Sequence, residues 1–157
     1  LVLNTLRSVI DNDALWFSIL KGLMDMFRYT TITVDDVIGL VNEKTGKDYN
    51  YFFNQYLRNT KVPQLDVSLT FKGDSVMAMY HWSADVPDFR MPVKVTTAPG
   101  KFEFIYPTTA WQRMFISKME PTDFKVDENR FYVNTRLSWR YMDPRVQTGG
   151  NRRGSWF

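Results

Sequence analysis

The 157-residue chain has room for one ordinary domain or two small ones, and its 44% hydrophobic and 16% aromatic content excludes a disordered chain. Twenty basic against seventeen acidic residues leave a net charge of +3, too mild to demand a nucleic-acid partner. The absence of cysteine excludes disulfides, thiolate zinc sites and a cysteine nucleophile.

Leu1, Val2, Leu3, Leu6, Val9 and Ile10 read as a helix already under way, so the chain is expected to be a piece of a longer protein or a processed form. No stretch reads as a signal peptide or a membrane span, and any targeting signal would lie upstream of Leu1. Asp11-Asn12-Asp13 supplies capping side chains for a second helix over about 14–29, with Trp16, Ile19, Leu20, Leu23 and Phe27 as its apolar stripe. Thr33-Val34-Asp35-Asp36 has the spacing of a capping box, and Gly46 is placed to end the helix that follows.

Residues 45–71 hold the changeover from helical to strand period. Asp48 is expected to cap a short helix carrying Tyr49, Phe52, Phe53, Tyr56 and Leu57, an aromatic plug between a helical part and a sheet part. Pro63 forbids its continuation, and Leu65, Val67, Leu69 and Phe71 then alternate with polar residues. Further strands are predicted near 75–83, 91–98, 101–106, 109–117 and 130–141, with Gly73-Asp74 as a hairpin turn. The expected class is α+β: about four helices, then an antiparallel β-sandwich. The expected divisions are helices over 1–62, the sandwich over 63–142 and an irregular basic tail over 143–157. In the stretch from Arg136 onward, five arginines face Asp143 alone.

The run TGKDYNYFFNQYLRNTKVPQLDV resembles the end of the catalytic domain in the aminopeptidase N-type zinc metallopeptidases, peptidase family M-one. In that family a Phe-Phe-x-Gln-aromatic helix leads through a Pro into the first strand of a β-sandwich. LRSVIDNDALWFSILKGL and TITVDDVIGLVNEKTG resemble the same family in the same order, so the likeness spans roughly residues 1–135. It implies that residues 1–62 complete a thermolysin-like domain and that Phe52, Phe53, Tyr56 and Pro63 form the structural junction. It also implies a parent that removes N-terminal residues from peptides with zinc, and periplasm as the expectation for that parent. The partners implied are the missing N-terminal part and the parent's peptide substrates.

The family's zinc motif, His-Glu-x-x-His, is absent, and so is its tyrosine segment, so no catalytic or metal-binding residue is assigned here and no cofactor is expected in this chain. The lone histidine, His81, alternates opposite Tyr80 and Trp82 and is expected to face solvent. Asp11/Asp13 and Asp35/Asp36 fit helix starts and Asp127/Glu128 fits a turn, which accounts for them without acid–base chemistry. No triad, phosphate loop or calcium loop is present. Arg136, Arg140, Arg145, Arg152 and Arg153, interleaved with Trp139, Tyr141 and Trp156, are read as strand and tail rather than a nucleic-acid surface. Trp82, Trp111, Trp139 and Trp156 lie in the β half and are read as core rather than as an aromatic row that binds sugars or peptides.

The expectation is thus an inert, supporting piece of a zinc aminopeptidase, which self-associates through exposed helical faces when isolated. The alternative is a non-catalytic module that holds a peptide or glycan on the sandwich or in the groove beside the plug helix.

Overall fold

The computed structural model describes residues 1–142 and 153–156. Four helices come first: α1 (Val2–Ile10), α2 (Asp13–Phe27), α3 (Val34–Thr45) and α4 (Asn50–Arg58). Seven strands follow: β1 (Gln64–Lys72), β2 (Ser75–Ser83), β3 (Val93–Ala98), β4 (Lys101–Ile105), β5 (Gln112–Ile116), β6 (Asn134–Tyr141) and β7 (Arg153–Trp156). The fold is α+β, as the change of period requires.

Three residues at the join of α1 and α2 divide the work. Asp11 ends α1 in the left-handed region (φ 49°) with its N–H on the Arg7 carbonyl. Asn12 caps α2, its side chain accepting from Leu15 N. Asp13 pairs with Arg7 at 2.9 Å. Thr33 and Asp36 form the capping box of α3: Thr33 N donates to Asp36 Oδ2 at 2.7 Å, and Asp36 N to Thr33 Oγ1 at 3.3 Å. These bonds, first the one from the Thr33 backbone and then the one from its hydroxyl, hold the Asp36 carboxyl below its ordinary value. A depressed carboxyl stabilises the fold above its unfolded value, about 3.9, and the gain is lost as pH falls through the lower folded value. Asp36→Ala should therefore lower the melting temperature at pH 7, and the gap from wild type should close in acid below that value. A gap independent of pH would show that the charge contributes nothing.

Residues of β1 and β2 pair from Lys72 opposite Ser75 to Gln64 opposite Ser83, around a turn in which Gly73 has φ 57°. The large sheet runs β5-β2-β1-β6-β7, and β3-β4 form a separate two-stranded ribbon. The sheet is mixed. β6 lies parallel to β1, from Gln64 opposite Asn134 to Phe71 opposite Tyr141, so the antiparallel sandwich expected from alternation is corrected to a mixed sheet with a ribbon. Alternation fixes which side chains share a face, not the direction of the neighbouring strand. Direction is set by the long connection after β5, which returns the chain to the end where β1 starts, with Asn134 N donating to the Pro63 carbonyl.

The tail expected to be irregular contains β7, whose backbone pairs antiparallel with β6; residues 143–152 and 157 lie outside the described residues. The open edge of β6 offers N–H and C=O groups that this segment takes up.

One hydrophobic cluster runs through both halves. Leu6, Ile19, Phe52 and Phe53 from the helices join Leu65, Leu69, Val76 and Trp82 from the large sheet, and Val93 and Val95 from the ribbon. Trp82 also donates its indole N–H to the Met91 carbonyl at 2.9 Å.

Candidate functional site

Helix α4 packs against the loops that flank the large sheet, Tyr51 against Phe89 and Tyr56 against Tyr132. Asp48 does not cap it. The N-cap is Tyr49, whose N–H is taken by Asn42 Oδ1 at 2.8 Å. Asp48 instead accepts from Asn50 N at 2.9 Å, closing a local turn just ahead of the helix. Its carboxyl is held below the ordinary value, first by that backbone bond and then by the Asn50 side chain.

Phe52 is fully buried, edge-on to Phe53 (centroids 5.5 Å apart) and tilted against Tyr56 (4.7 Å). Tyr56 donates its hydroxyl to the Tyr132 carbonyl at 2.6 Å. The Tyr132 N–H donates to Thr5 Oγ1 at 2.8 Å. Both backbone polar groups of Tyr132, two residues before β6, are thus held from two helices. Burial pushes the Tyr56 phenol upward, so it remains a donor at any ordinary pH. Pro63 is buried just before β1. Phe52 thus packs against both Phe53 and Tyr56 on α4, and Pro63 lies between α4 and β1.

Two residues off the predicted stripe matter as much. Tyr51 and Gln55 are buried, whereas Leu57 is half exposed. The helix is covered on more than one side, so a single 3.6-residue stripe describes it poorly. Gln55 is a clamp: its Nε2 donates to the Lys61 carbonyl at 2.8 Å, and its Oε1 accepts from Val86 N at 3.0 Å. One side chain thereby ties α4 to the segment entering β1 and the segment leaving β2, side by side at the open end of the hairpin.

Beside α4 lies a cleft of about 570 Å³, between the C-terminal end of α1, residues 47–51 and the ribbon. Arg90 stands over the Tyr51 ring at 4.6 Å and bridges Asp48 and Asp88, each at 3.1 Å. Lys94 bonds Asp11 at 3.3 Å and covers the Phe104 ring at 4.5 Å. The charged groups around this cleft are largely paired with one another. Both lining carboxylates, Asp11 and Asp48, are paired with cations, so the arrangement presents a polar and aromatic surface that can hold a ligand.

His81 is not the solvent-facing residue expected. Its ring lies 4.0 Å from Trp111, its Nε2 is 3.2 Å from Asp66 Oδ2, and its Nδ1 is 3.1 Å from the Trp82 carbonyl. Buried Asp66 also accepts from Arg136 at 2.8 Å and from Gln64 at 2.7 Å. Neighbouring side chains from β2 and β6 close over this row, so a polar position on a central strand is covered even on the outer face. Trp111 is correspondingly exposed rather than core. The pairing was available in the sequence: counting back from a Gly73-Asp74 turn sets Asp66 opposite His81. Arg136 was not, because it depends on the parallel neighbour.

A zinc site does not fit these residues. There is one histidine, both its ring nitrogens face protein oxygens, and among the described residues no group of three or more His, Cys, Asp or Glu could hold a metal ion. Among the described residues no helix is long and apolar enough to cross a membrane.

No protein-family model matches the sequence, and no curated protein matches it significantly. A solved structure does match: the crystal structure of Legionella pneumophila aminopeptidase A in complex with aspartic acid, with a TM-score of 0.67 at 10% identity. The match covers 85% of this chain and 17% of that one, so the present chain spans about a sixth of that protein's length. At this identity the likeness is one of fold alone: the chain shares its arrangement of helices and strands with that part of the aminopeptidase.

Proposed function

We propose that this chain is a non-catalytic, supporting part of a zinc-dependent aminopeptidase, joining the end of a helical catalytic domain to the sheet that follows. The observation that carries this reading is the fold likeness, which covers most of this chain and a small part of an aminopeptidase. The zinc belongs to the rest of the parent, since this chain offers no ligand set for it. The junction is built for support: Phe52 fills the meeting point, and Gln55 and Tyr56 bolt the helix to the loops around the sheet.

A second observation agrees. Phe17, Met24 and Phe27 lie along one side of α2 and are all more than half exposed, as is Leu3 of α1. Several large apolar side chains exposed along one helix suit a contact face. In the parent it packs against the catalytic part that carries the metal.

The test is direct. The purified chain, with added zinc and chromogenic aminoacyl substrates, should show no turnover above the blank, and equilibrium dialysis should find no stoichiometric zinc. The reading frame upstream of Leu1 should encode a His-Glu-x-x-His helix. Zinc-dependent turnover by this chain alone would overturn the proposal. The alternative, a binding module, draws on the cleft beside α4, whose size and aromatic wall of Tyr51, Phe104 and Tyr106 suit a peptide or glycan. A reading frame without the zinc helix would favour it.

A further inference from the structure

We propose that the free edge of β5 is a self-pairing surface, through which two copies of this chain join their large sheets about a two-fold axis at Met114. β5 is the terminal strand of the sheet, paired with β2 on one side; on the other the chain at Thr97 meets it only at Ser117, just past its C-terminal end, which leaves the stretch from Arg113 to Phe115 open. Its backbone polarity can be read from Ser117, whose N–H donates to the Thr97 carbonyl on the side away from β2. Backbone groups alternate along a strand, so Arg113 and Phe115 direct their N–H and C=O groups to that same open side, while Gln112, Met114 and Ile116 face β2. The described residues provide no strand to receive those of Arg113 and Phe115.

The edge is also weakly guarded. Sheet edges are normally blunted by Lys, Pro or a bulge. β5, Gln-Arg-Met-Phe-Ile, has no Lys and no Pro, its pairing with β2 is unbroken, and its single charge is Arg113.

The occupant follows from the sequence of the strand itself. In an antiparallel pair centred on Met114, Arg113 lies opposite Phe115 of the second copy, and Phe115 opposite its Arg113. The symmetric register makes both into hydrogen-bonded pairs, so the open N–H and C=O groups of all four residues are satisfied at once. On the outer face each guanidinium then meets a phenyl ring rather than another cation. Phe115 is 75% exposed and Arg113 is exposed, so both are free to make this contact. A foreign strand would find the same backbone groups but not this reciprocal match. A single edge buries little surface, so the affinity is expected on the order of 100 μM. The inference does not depend on the peptidase reading.

Sedimentation velocity over a concentration series tests it on the whole chain. Wild type should show a concentration-dependent monomer–dimer equilibrium. Phe115→Lys sets two pairs of like charges across the axis and should weaken the dimer tenfold or more, on the order expected for such pairs. Arg113→Glu with Phe115→Lys sets opposite charges across it and should restore the dimer. Both positions are exposed, and unchanged far-UV circular dichroism would confirm that the variants fold. A strictly monomeric wild type, a Phe115→Lys variant that associates like wild type, or a double variant that stays monomeric would each overturn the proposal. So would association abolished by Phe17→Lys with Phe27→Lys, which would place the contact on α2.

Discussion

Phe52→Ala is expected to lower the stability of this chain by about 3–5 kcal/mol. The side chain is fully buried, and its ring meets Phe53 and Tyr56 at 5.5 and 4.7 Å between centroids. Removing it forfeits the transfer energy of the ring and leaves a cavity that two constrained aromatic neighbours cannot readily fill. Leu57→Ala is the control. That residue lies on the same helix but is half exposed, so its loss should stay within about 1 kcal/mol, where surface changes fall. Urea titration of both variants decides the matter: equal midpoints would remove Phe52 from the centre of the junction. Because helices and sheet share one hydrophobic cluster, the circular dichroism and tryptophan fluorescence transitions of Phe52→Ala should coincide.

The second large effect belongs to a polar residue. Gln55→Leu is expected to cost about 2–5 kcal/mol, although it makes the interior more apolar. The substitution strands two backbone groups, Val86 N–H and the Lys61 carbonyl, which Gln55 now satisfies with its two ends. An unpaired buried group loses its water without recompense. Gln55→Glu separates this from packing. At neutral pH the introduced carboxylate still accepts from Val86 but faces the Lys61 carbonyl with a second oxygen, and burial disfavours its charge. Both effects raise its folded pKa above the unfolded value, about 4.3. Stability of this variant, compared with wild type at each pH, should therefore recover as pH falls through the raised value, and the recovery should be complete near the unfolded one. A deficit that does not change with pH would show that shape, not hydrogen bonding, governs the site.

Much of this site was legible before any coordinates. The aromatic spacing at positions 49, 52, 53 and 56 announced a buried face, and the capping box at Thr33 and Asp36 fixed the start of α3. What escaped the sequence shares one cause. The clamp of Gln55, the grip of Thr5 and Tyr56 on Tyr132, and the contact of Arg136 with Asp66 all join residues distant along the chain. A polar side chain at a helix or strand position looks solvated until the element that covers it is placed. Asp48 shows the same limit at short range: its type suited a cap, yet the N-cap of α4 is Tyr49, with no side-chain cap, and Asp48 accepts from Asn50 N instead.

By itself, the sequence determined the class and the order of elements, because apolar period and turn chemistry are local properties. It determined the β1–β2 register too, since a tight turn at Gly73 leaves a single alignment that keeps the apolar residues on one face. It also bounds the chemistry, for without cysteine no thiolate can serve as ligand or nucleophile. Only the tertiary structure decided that β6 runs parallel to β1, that β7 extends the sheet, and that Asp66 and His81 are covered on its outer face. Strand direction and the burial of polar residues depend on where the long connections bring the chain back. Backbone hydrogen bonding satisfies either direction, so side-chain pattern alone does not choose between them.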